Sequence, residues 1–188
     1  MSFLKNKWSF WLLRNNRESD RATSWKAKLK QLATVDSWDT FRQQLTDMDS
    51  HQECDVMMFR AEIPPMWEHE ANKSGGRWVL NMPKSTDEHG VAMGTLRGHW
   101  QRLCWLVANE EFDPDMMPLI NGVWLNVKLK SEKLSLWTSG FEENIDMQHR
   151  IGRKMRELLE VRIMALVFEP HEISSELAET ASKEKRHK

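Results

Sequence analysis

The tetrapeptide Pro65-Met66-Trp67-Glu68 places an aromatic ring beside a carboxylate, in a segment whose backbone is restricted by proline. Such a pair can hold a flat base, because the indole stacks on the base while the carboxylate accepts hydrogen bonds from its rim. Guanine fits this arrangement, since its N1–H and N2–H2 groups are adjacent donors that can meet one carboxylate. Taken alone, the tetrapeptide is weak evidence, and a core position for Trp67 is the default interpretation.

A second group of residues with binding chemistry lies on a predicted hairpin. Valines and leucines alternate with polar residues over Val123 to Lys130 and again over Lys133 to Trp137, as expected for two strands with one buried face. Three lysines and a tryptophan then share the polar face: Lys128, Lys130, Lys133 and Trp137. Lysines without a carboxylate partner suit a chain of phosphates, but they also occur at exposed strand edges, where they deter aggregation. The alternation alone favours the second interpretation.

The usual signatures of catalysis are missing. His69-Glu70 is not followed by the second histidine of a zinc-protease helix, and Gly75-Gly76 lacks the lysine and serine of a phosphate loop. The acidic residues within 110–115 are typical of a solvated loop. Cys54 and Cys104 cannot form a metal cage alone, so both are interpreted as reduced thiols of a cytoplasmic or nuclear protein. The sequence therefore favours a binding protein over an enzyme, with no cofactor and no metal.

Composition limits the class of protein. The 188 residues fit one domain, and 40 % hydrophobic residues are enough for a core. The net charge of −1 excludes a general polyanion binder, so any contact with nucleic acid must come from a local positive cluster. No apolar run approaches the roughly 18 residues of a membrane span, and no membrane partner is expected. Ten tryptophans and no tyrosine raise the question of which indole rings face outward.

Hydrophobic periodicity predicts seven strands and three helices. The strands are predicted at 7–14, 28–35, 55–60, 77–82, 119–130, 133–138 and 161–168, with a turn at Ser131-Glu132. The helices are predicted after an N-cap at Asp36, from about Val91 to Asn109, and from about Ile145 to Leu159. Because most strands alternate in polarity, the fold class is α+β, with an antiparallel sheet covered by helices on one face and open on the other. The domain is predicted to span 1–173, followed by a charged, flexible tail at 174–188.

Several motifs occur in the order and at the spacing of one known family. They are Trp8-Ser-Phe-Trp11, Ser24-Trp25, Pro65-Met66-Trp67-Glu68, Asn72-Lys-Ser-Gly-Gly-Arg77-Trp78, Asn126-Val-Lys128-Leu-Lys130, Lys133-Leu-Ser-Leu-Trp137-Thr138 and Ile151-Gly152-Arg153. On these motifs the chain resembles the eukaryotic translation initiation factor 4E family of messenger-RNA cap-binding proteins. The resemblance implies a curved antiparallel sheet of about eight strands, three helices on its convex face, and the cap on its concave face.

The resemblance also implies roles for individual residues in binding the N7-methylated guanosine triphosphate of the cap. Trp25 and Trp67 correspond to the two tryptophans that sandwich the base, and Glu68 to the carboxylate that binds the guanine rim. The backbone N–H of Trp67, in its peptide bond with Met66, would donate a hydrogen bond to O6 of the guanine. Trp137 would lie against the N7-methyl group. The phosphates would be held by Lys128 and Lys133, with Arg77 and Lys130 at longer range. The first of these lysines replaces a more usual arginine, which makes that contact a point charge and not a fork.

In the same family a short helix of initiation factor 4G, or of a repressor, binds the convex face. The positions that correspond to this partner site are Phe3, Trp38, Arg42, Gln101, Arg102 and Trp105. Trp105 is about 180° from Leu96 on its predicted helix, so it points away from the core. Arginine replaces tryptophan at 42 and glutamate at 102, so we expect a divergent scaffold with an acidic residue opposite one of them. This altered face and the short termini suggest a divergent protist paralogue, for which a hypermethylated cap is a further expectation.

The sequence thus predicts a protein that binds capped messenger RNA and recruits a scaffold of the initiation factor 4G type. The alternative is a cap-binding repressor that holds the message without recruiting a ribosome. A third function, from another class, is a decapping hydrolase. That enzyme would need a metal-binding carboxylate cluster at the cap, and the sequence offers none there.

Overall fold

The fold is that of a computed structural model of the 188-residue chain. The residues that the structure describes are 2–14, 25–51, 54–83, 85–86, 92–93, 96–128, 131–140, 144–161 and 166–171. At positions 25, 82, 83, 85, 86, 92 and 93 the description covers the backbone alone. The predicted tail at 174–188 lies outside the described residues.

The described residues form nine strands and five helices. The strands are β1 (Phe3–Arg14), β2 (Leu29–Ser37), β3 (Cys54–Arg60), β4 (Gly76–Pro83), β5 (Ser85–Thr86), β6 (Ala92–Met93), β7 (Ile120–Val127), β8 (Ser131–Thr138) and β9 (Leu166–Pro170). The helices are α1 (Trp25–Lys28), α2 (Trp38–Met48), α3 (Glu70–Lys73), α4 (Arg97–Ala108) and α5 (Ile145–Leu159), with a 3₁₀ turn at Met117–Leu119. The long helix α5 has the predicted bounds. No helix in this described part is long and apolar enough to cross a membrane.

Seven strands form one curved antiparallel sheet in the order β2-β1-β3-β7-β8-β4-β9, and β5 pairs with β6 separately. The predicted antiparallel sheet is confirmed, with seven strands in place of about eight. Strands β7 and β8 lie in its interior, with Val123 opposite Leu136 and Leu125 opposite Leu134. Side chains two positions apart therefore share a face, as the alternation predicts.

The valines and leucines of β7 and β8 face the long helices. This main core contains fully buried side chains from every layer, among them Val123, Leu125, Leu134 and Leu136 of the sheet, Phe41 of α2, Trp100 and Leu103 of α4, and Ile151 and Met155 of α5. Because all three long helices contribute to one core, they cover the same face of the sheet. The predicted two-layer arrangement is confirmed on this side.

The opposite face is only partly open, which corrects the sequence-based prediction. Met57, Phe59, Ile63, Trp124 and Trp137 are each less than 10 % exposed and form a second core on that face. Ile63 belongs to the connection between β3 and β4. This connection therefore folds back over the sheet and covers part of the face that alternation alone would leave in water.

A side-chain cap fixes the start of α2. Oγ of Ser37 accepts the backbone N–H of Thr40 at 3.4 Å, so the N-cap is Ser37 and the prediction of Asp36 was wrong by one residue. The carboxylate of Asp36 lies instead 3.9 Å from the ammonium of Lys7 on the neighbouring strand.

The start of α4 and the hairpin turn also differ from the prediction, for one shared reason. Helix α4 begins at Arg97 and not at Val91, and its N-cap residue Leu96 has no side-chain cap. Instead, the carboxylate of Glu132 accepts the Leu96 N–H at 2.7 Å. Glu132 was predicted in a turn, but it lies buried in β8, where its charge complements the helix N-terminus. The hairpin turn lies earlier, with the Lys128 N–H donating to the carbonyl of Ser131 at 2.9 Å.

Candidate functional site

The connection between β3 and β4 carries Trp67 and is held by a buried asparagine. Asn72 is 0 % exposed, and its Nδ2 donates to the carbonyl oxygens of Pro64 at 3.0 Å and Met66 at 2.8 Å. Its Oδ1 accepts a hydrogen bond from Nδ2 of Asn121 on β7 at 2.9 Å. The loop is therefore fixed both to itself and to the central sheet.

On this braced loop, Trp67 faces outward. Its side chain is 39 % exposed, so the default interpretation of Trp67 as a core residue was wrong. An exposed indole forgoes the free energy of burial, which makes it a candidate for stacking on a ligand. Trp25, predicted to face it, is the first residue of α1, but its side chain lies outside the described residues. The pairing of the two rings stays a prediction.

The carboxylate of Glu68, next to Trp67, is half satisfied. Oε1 lies 2.9 Å from the ammonium of Lys26 on α1. Oε2 is buried and has no hydrogen-bond partner among the described residues. A buried acceptor without a donor is costly, so this oxygen is suited to receive an N–H group from a ligand. Any ligand that carries an N–H group on its edge could satisfy this oxygen.

Stacked aromatic rings form the floor of the site. Trp137 lies on Trp124 with ring centroids 5.4 Å apart and planes 19° from parallel, and Phe59 meets Trp137 edge-on at 5.4 Å. Trp137 is only 3 % exposed, and its Nε1 has no partner within the described part of the chain. The ring is thus a supporting element of the site. Its predicted contact with an N7-methyl group stays a prediction.

A buried histidine closes the floor from the side of β9. The ring of His171 lies 4.3 Å from that of Trp137, centroid to centroid, and its Nδ1 is 2.6 Å from the carbonyl oxygen of Asn72. A carbonyl can only accept, so Nδ1 carries the proton. Burial, reinforced by the nearby Arg77 charge, lowers the pKa of His171 to about 4, although the Asn72 carbonyl acts in the other direction. The ring is therefore neutral at physiological pH.

Arg77, predicted to act on phosphates at longer range, is already paired. Its Nε and Nη2 both donate to Oε2 of Glu169 on β9, at 3.0 and 2.8 Å. The guanidinium carbon also lies 6.0 Å from the ring centroid of Trp137. Arg77 thus joins β4 to β9 over the aromatic floor, and the adjacent carboxylate offsets most of its charge.

The two described lysines of the hairpin belong to interior strands or their ends, not to an edge strand of the sheet. Lys128 is exposed just after β7, and Lys133 is half-buried in β8. Since both strands are interior, the interpretation that these lysines protect a sheet edge was wrong. No described carboxylate pairs with either lysine. Lys130 lies outside the described residues, so the predicted set of three is placed only in part.

The helix-covered face carries an apolar patch, which is defined by Phe3, Trp38 and Trp105. Phe3 is 69 % exposed and Trp105 43 %, which confirms that Trp105 points away from the core. The rings of Trp38 and Trp105 lie 6.2 Å apart at 43°. The Trp38 N–H donates to the carbonyl of Ser2 at 3.0 Å, so the start of β1 lies beside the start of α2.

The polar residues predicted in the partner site are all paired within the chain. The pairs and their shortest distances are Arg102–Glu160 at 2.7 Å, Arg42–Asp39 at 3.6 Å and Gln101–Asp49 at 2.8 Å. The hydrogen bond from Arg102 also lowers the pKa of Glu160. These are exposed contacts that a partner could exchange at little cost, since solvent-exposed ion pairs contribute only about 0–1 kcal/mol.

The chain was compared with known protein families. The model of the family described as "Eukaryotic initiation factor 4E" matches residues 3–186. The chain belongs to the eukaryotic initiation factor 4E family. The resemblance inferred from the motifs is confirmed, and the family is one of initiation factors and not of enzymes.

Relatives in the initiation factor 4E family come from distant animals. The chain is 31 % identical over 162 residues to initiation factor 4E of Aplysia californica, covering 84 % of this chain and 70 % of that protein. It is 29 % identical over 160 residues to initiation factor 4E of Homo sapiens, covering 83 % and 69 %. This level of identity fits a divergent member of the family.

Solved structures of the family share the fold. The C. elegans eIF4E-3 structure, a complex with the 4E-binding protein Mextli and a cap analog, has a TM-score of 0.77 at 29 % identity, covering 93 % of this chain and 95 % of that one. The Ascaris suum eIF4E-3 structure with an m7G cap has a TM-score of 0.77 at 29 % identity, covering 90 % and 91 %. The curved seven-stranded sheet with helices on one face is therefore the initiation factor 4E fold.

Several residues that shape the site were missed by sequence reasoning. They are Lys26, which pairs with Glu68, Asn72 and Asn121, which brace the loop, and His171, which packs on Trp137. For the first of these a signal existed, since it directly follows one predicted base-stacking tryptophan. Asn72 lies in one of the quoted motifs, but no role was assigned to it, and nothing in the local pattern marks Asn121 or His171, whose contacts join segments far apart in sequence. Within the described residues, no group of three His, Cys, Asp or Glu side chains could hold a metal ion.

Proposed function

We propose that this chain binds the 7-methylguanosine cap of messenger RNA, with the base held between Trp25 and Trp67. One observation carries the proposal: on a braced loop, the exposed Trp67 is followed by Glu68, whose Oε2 is buried and receives no hydrogen bond from the residues that the structure describes. Guanine N1–H and N2–H2 would supply that donor. The solved relatives with an m7G cap and with a cap analog support the same class of ligand for this chain.

Preference for the methylated base follows from its charge. Methylation at N7 leaves the ring positive, so each indole adds a cation–π contribution of about 0.5–2 kcal/mol to stacking. Stacking itself contributes roughly 1–3 kcal/mol per base. Two rings would then separate methylated from plain guanine by on the order of 10²-fold. The ionised Glu68 acts in the same direction.

The triphosphate would be held by the ammonium groups of Lys128 and Lys133 on the central hairpin, neither of which pairs with a carboxylate in the described part of the chain. Lys133 lies on the interior strand β8, and Lys128 directly follows the interior strand β7. An ammonium group attracts phosphate as a point charge without the geometric fork of arginine. We therefore expect cap binding to weaken steeply as ionic strength rises.

The test uses two matched tryptophans. Trp67→Ala and Trp105→Ala each remove an indole of similar exposure, 39 % and 43 %, but from opposite faces of the sheet. We expect Trp67→Ala to lose retention on immobilised 7-methyl-GTP and Trp105→Ala to keep it, with both variants showing wild-type melting temperatures within a few degrees. Normal retention of a folded Trp67→Ala protein would contradict the proposed site.

The proposal assigns no reaction to the bound cap. Incubation with a cap analogue, followed by chromatography of the nucleotides, is expected to return the analogue unchanged. Release of methylated mononucleotide would instead indicate a decapping hydrolase. A metal-dependent hydrolase would need a metal site, and the described residues contain no group of three His, Cys, Asp or Glu side chains that could hold a metal ion.

We further propose that the apolar patch of Phe3, Trp38 and Trp105 binds a short helix of a scaffold of the initiation factor 4G type. The patch has one half-buried and two exposed aromatic rings at the junction of two elements, which suits helix-in-groove binding. The structures of relatives with Mextli and with a 4E-BP support a peptide partner. Arg102 is paired with Glu160 in the free protein. An acidic residue of a partner could take the place of Glu160, whereas a basic residue could not.

The partner test reverses the roles of the two tryptophans. Trp105→Ala and Arg102→Glu are expected to lose the partner that co-purifies with the wild-type protein, while Trp67→Ala keeps it. Retention of every partner by both patch variants would contradict the proposed surface. Identification of the retained protein by mass spectrometry separates a recruiting scaffold from a repressor, because both functions need the cap site and differ only in this partner.

A further inference from the structure

An ion pair joins the two segments that carry the predicted base-stacking tryptophans. Lys26 directly follows Trp25 on α1, and Glu68 directly follows Trp67 on the β3–β4 connection. The Lys26 ammonium lies 2.9 Å from Oε1 of Glu68, and the two side chains are 50 % and 33 % exposed. In the free protein, one of the two oxygens that would read guanine is therefore occupied by a side chain of the chain itself.

The arrangement sets up a competition of like charges. A guanine rim with two adjacent donors is best satisfied by both oxygens of one carboxylate, but of the two oxygens of Glu68 only Oε2 has no partner among the described residues. A 7-methylguanine ring is also cationic, so it and the Lys26 ammonium repel each other when both lie against Glu68. Plain guanine is neutral and does not experience this repulsion. The ion pair consequently opposes the methylated base more than the unmethylated one.

We propose that Lys26 is an internal competitor for Glu68, which must be displaced when the base enters and which lowers both the affinity for the cap and the preference for its methyl group. This inference rests on the proposed function. It assigns Lys26 a specificity-determining role that acts through Glu68. The half-exposed position of the ammonium makes its displacement into water feasible.

The experiment measures binding of 7-methyl-GTP and of plain GTP by isothermal titration calorimetry. The variants are Lys26→Met and, as a matched control, Lys30→Met, which removes the same charge from an exposed position on β2. Lys26→Met is expected to tighten 7-methyl-GTP binding by about 2- to 5-fold, the range that an exposed ion pair supports, and to tighten GTP binding less. Lys30→Met is expected to leave both unchanged or slightly weaker.

A double-mutant cycle distinguishes displacement from a general change in charge. In a Glu68→Gln background, Lys26→Met should no longer tighten binding, because the carboxylate for which it competes is gone. The gain in the wild-type background should also shrink at 0.5 M salt, where exposed ion pairs are screened. Neither result is expected if Lys26 only supports the local backbone.

The outcomes separate the two levels of the argument. Failure of the wild-type protein to bind 7-methyl-GTP would overturn the proposed function itself. If the wild type binds but Lys26→Met binds equally well or less tightly, the competitor role is overturned and the cap site stands. A gain shared by Lys30→Met, or one that persists with Glu68→Gln, would likewise overturn it.

Discussion

Replacement of Asn72 by alanine tests whether one buried side chain holds the loop of Trp67 in place. The change removes three hydrogen bonds: two from Nδ2 to the carbonyls of Pro64 and Met66, and one from Asn121 to Oδ1. Typical buried hydrogen bonds contribute about 0.5–1.5 kcal/mol each, with a further penalty for any group left alone. The three hydrogen bonds alone could therefore contribute up to about 4.5 kcal/mol.

The structure lowers that figure, because each orphaned group keeps another partner. The carbonyl of Pro64 still accepts the Met66 N–H at 2.7 Å, the carbonyl of Met66 still accepts the His69 N–H at 3.1 Å, and Asn121 still donates to Ala71 at 2.7 Å. No buried polar group is stranded. We therefore expect a loss of about 2 kcal/mol in the free energy of unfolding.

Loosening of the loop should also weaken the cap site. If Trp67 must be ordered to stack, the ligand has to supply the ordering that Asn72 no longer provides. The dissociation constant for 7-methyl-GTP should then rise, by at most about 30-fold for a 2 kcal/mol loss. Replacement of the loop anchor thus lowers stability and affinity together, although Asn72 is fully buried and not predicted to touch the ligand.

Urea denaturation gives the stability, and calorimetry gives the affinity. Asn109→Ala is the matched control, because Asn109 is an exposed residue at the end of α4 whose side-chain Nδ2 donates to the exposed Glu111, while its backbone hydrogen bond to Trp105 is kept by alanine. That variant should stay within about 0.5 kcal/mol of the wild type. If Asn72→Ala is no less stable than Asn109→Ala, or unstable but unimpaired in cap binding, the argument that Asn72 positions Trp67 is refuted.

Three further predictions concern other parts of the molecule. Gly122→Ala would place a Cβ in steric overlap with the Phe59 ring and the Met58 carbonyl oxygen, so we expect a loss of about 2–3 kcal/mol in the free energy of unfolding, measured by thermal or urea denaturation. The pKa of His171 is about 4 in the folded protein and 6.5 in the unfolded chain, so the unfolded chain takes up the proton first as pH falls. The free energy of unfolding should therefore drop by up to roughly 3 kcal/mol between pH 6.5 and 4. His171→Gln should remove this part of the pH dependence. Burial raises the pKa of the Cys104 thiol, so native-state iodoacetamide at pH 8 should label Cys54 well before Cys104, as read by peptide mass spectrometry.

Each of these has a distinct failing result. An unchanged melting temperature for Gly122→Ala would mean that the sheet can move away from Phe59. Parallel pH–stability curves for wild type and His171→Gln would mean that the histidine is not held neutral by burial. Faster labelling of Cys104 than of Cys54 in the folded protein would mean that α4 opens to solvent.

The layers of the fold could be predicted because their signals are local. Period-2 alternation placed Val123 and Leu136 on the buried side of β7 and β8, and helical spacing placed Trp105 outside the core. These faces depend only on backbone geometry, which is the same wherever the element lies in the protein. The bounds predicted for α5, Ile145 to Leu159, likewise agree with the structure.

The misplaced boundaries depend on contacts between distant segments. Glu132 looks like a turn residue by its neighbours, yet it is buried because it caps α4, whose first residue lies far from it in sequence. In the same way, the partly covered sheet face depends on Ile63 folding back over Trp137, which no alternation can reveal. A single sequence contains no local trace of such pairings.

The site divides along the same line. Glu68 and Trp67 were identifiable from their residue types and from the family motif, since both lie in one short segment. The contacts that tune them were not, because Lys26 and His171 reach the site from other elements. The sequence therefore predicted which ligand groups this motif could bind. It did not predict the contacts that the motif makes with the rest of the folded protein.

The open sheet must also avoid joining sheets of other molecules. Its outermost strand on one side is β9, which has only five residues and ends at Pro170, a residue that has no N–H to donate. The carboxylate of Glu169 on this strand accepts a hydrogen bond from Arg77, so charged side chains lie beside the unpaired backbone N–H and C=O groups of the edge strand. An edge strand that is this short and ends in proline is a poor template for pairing with another chain. On this side of the sheet it counteracts the tendency of unpaired edge strands to join into fibrils.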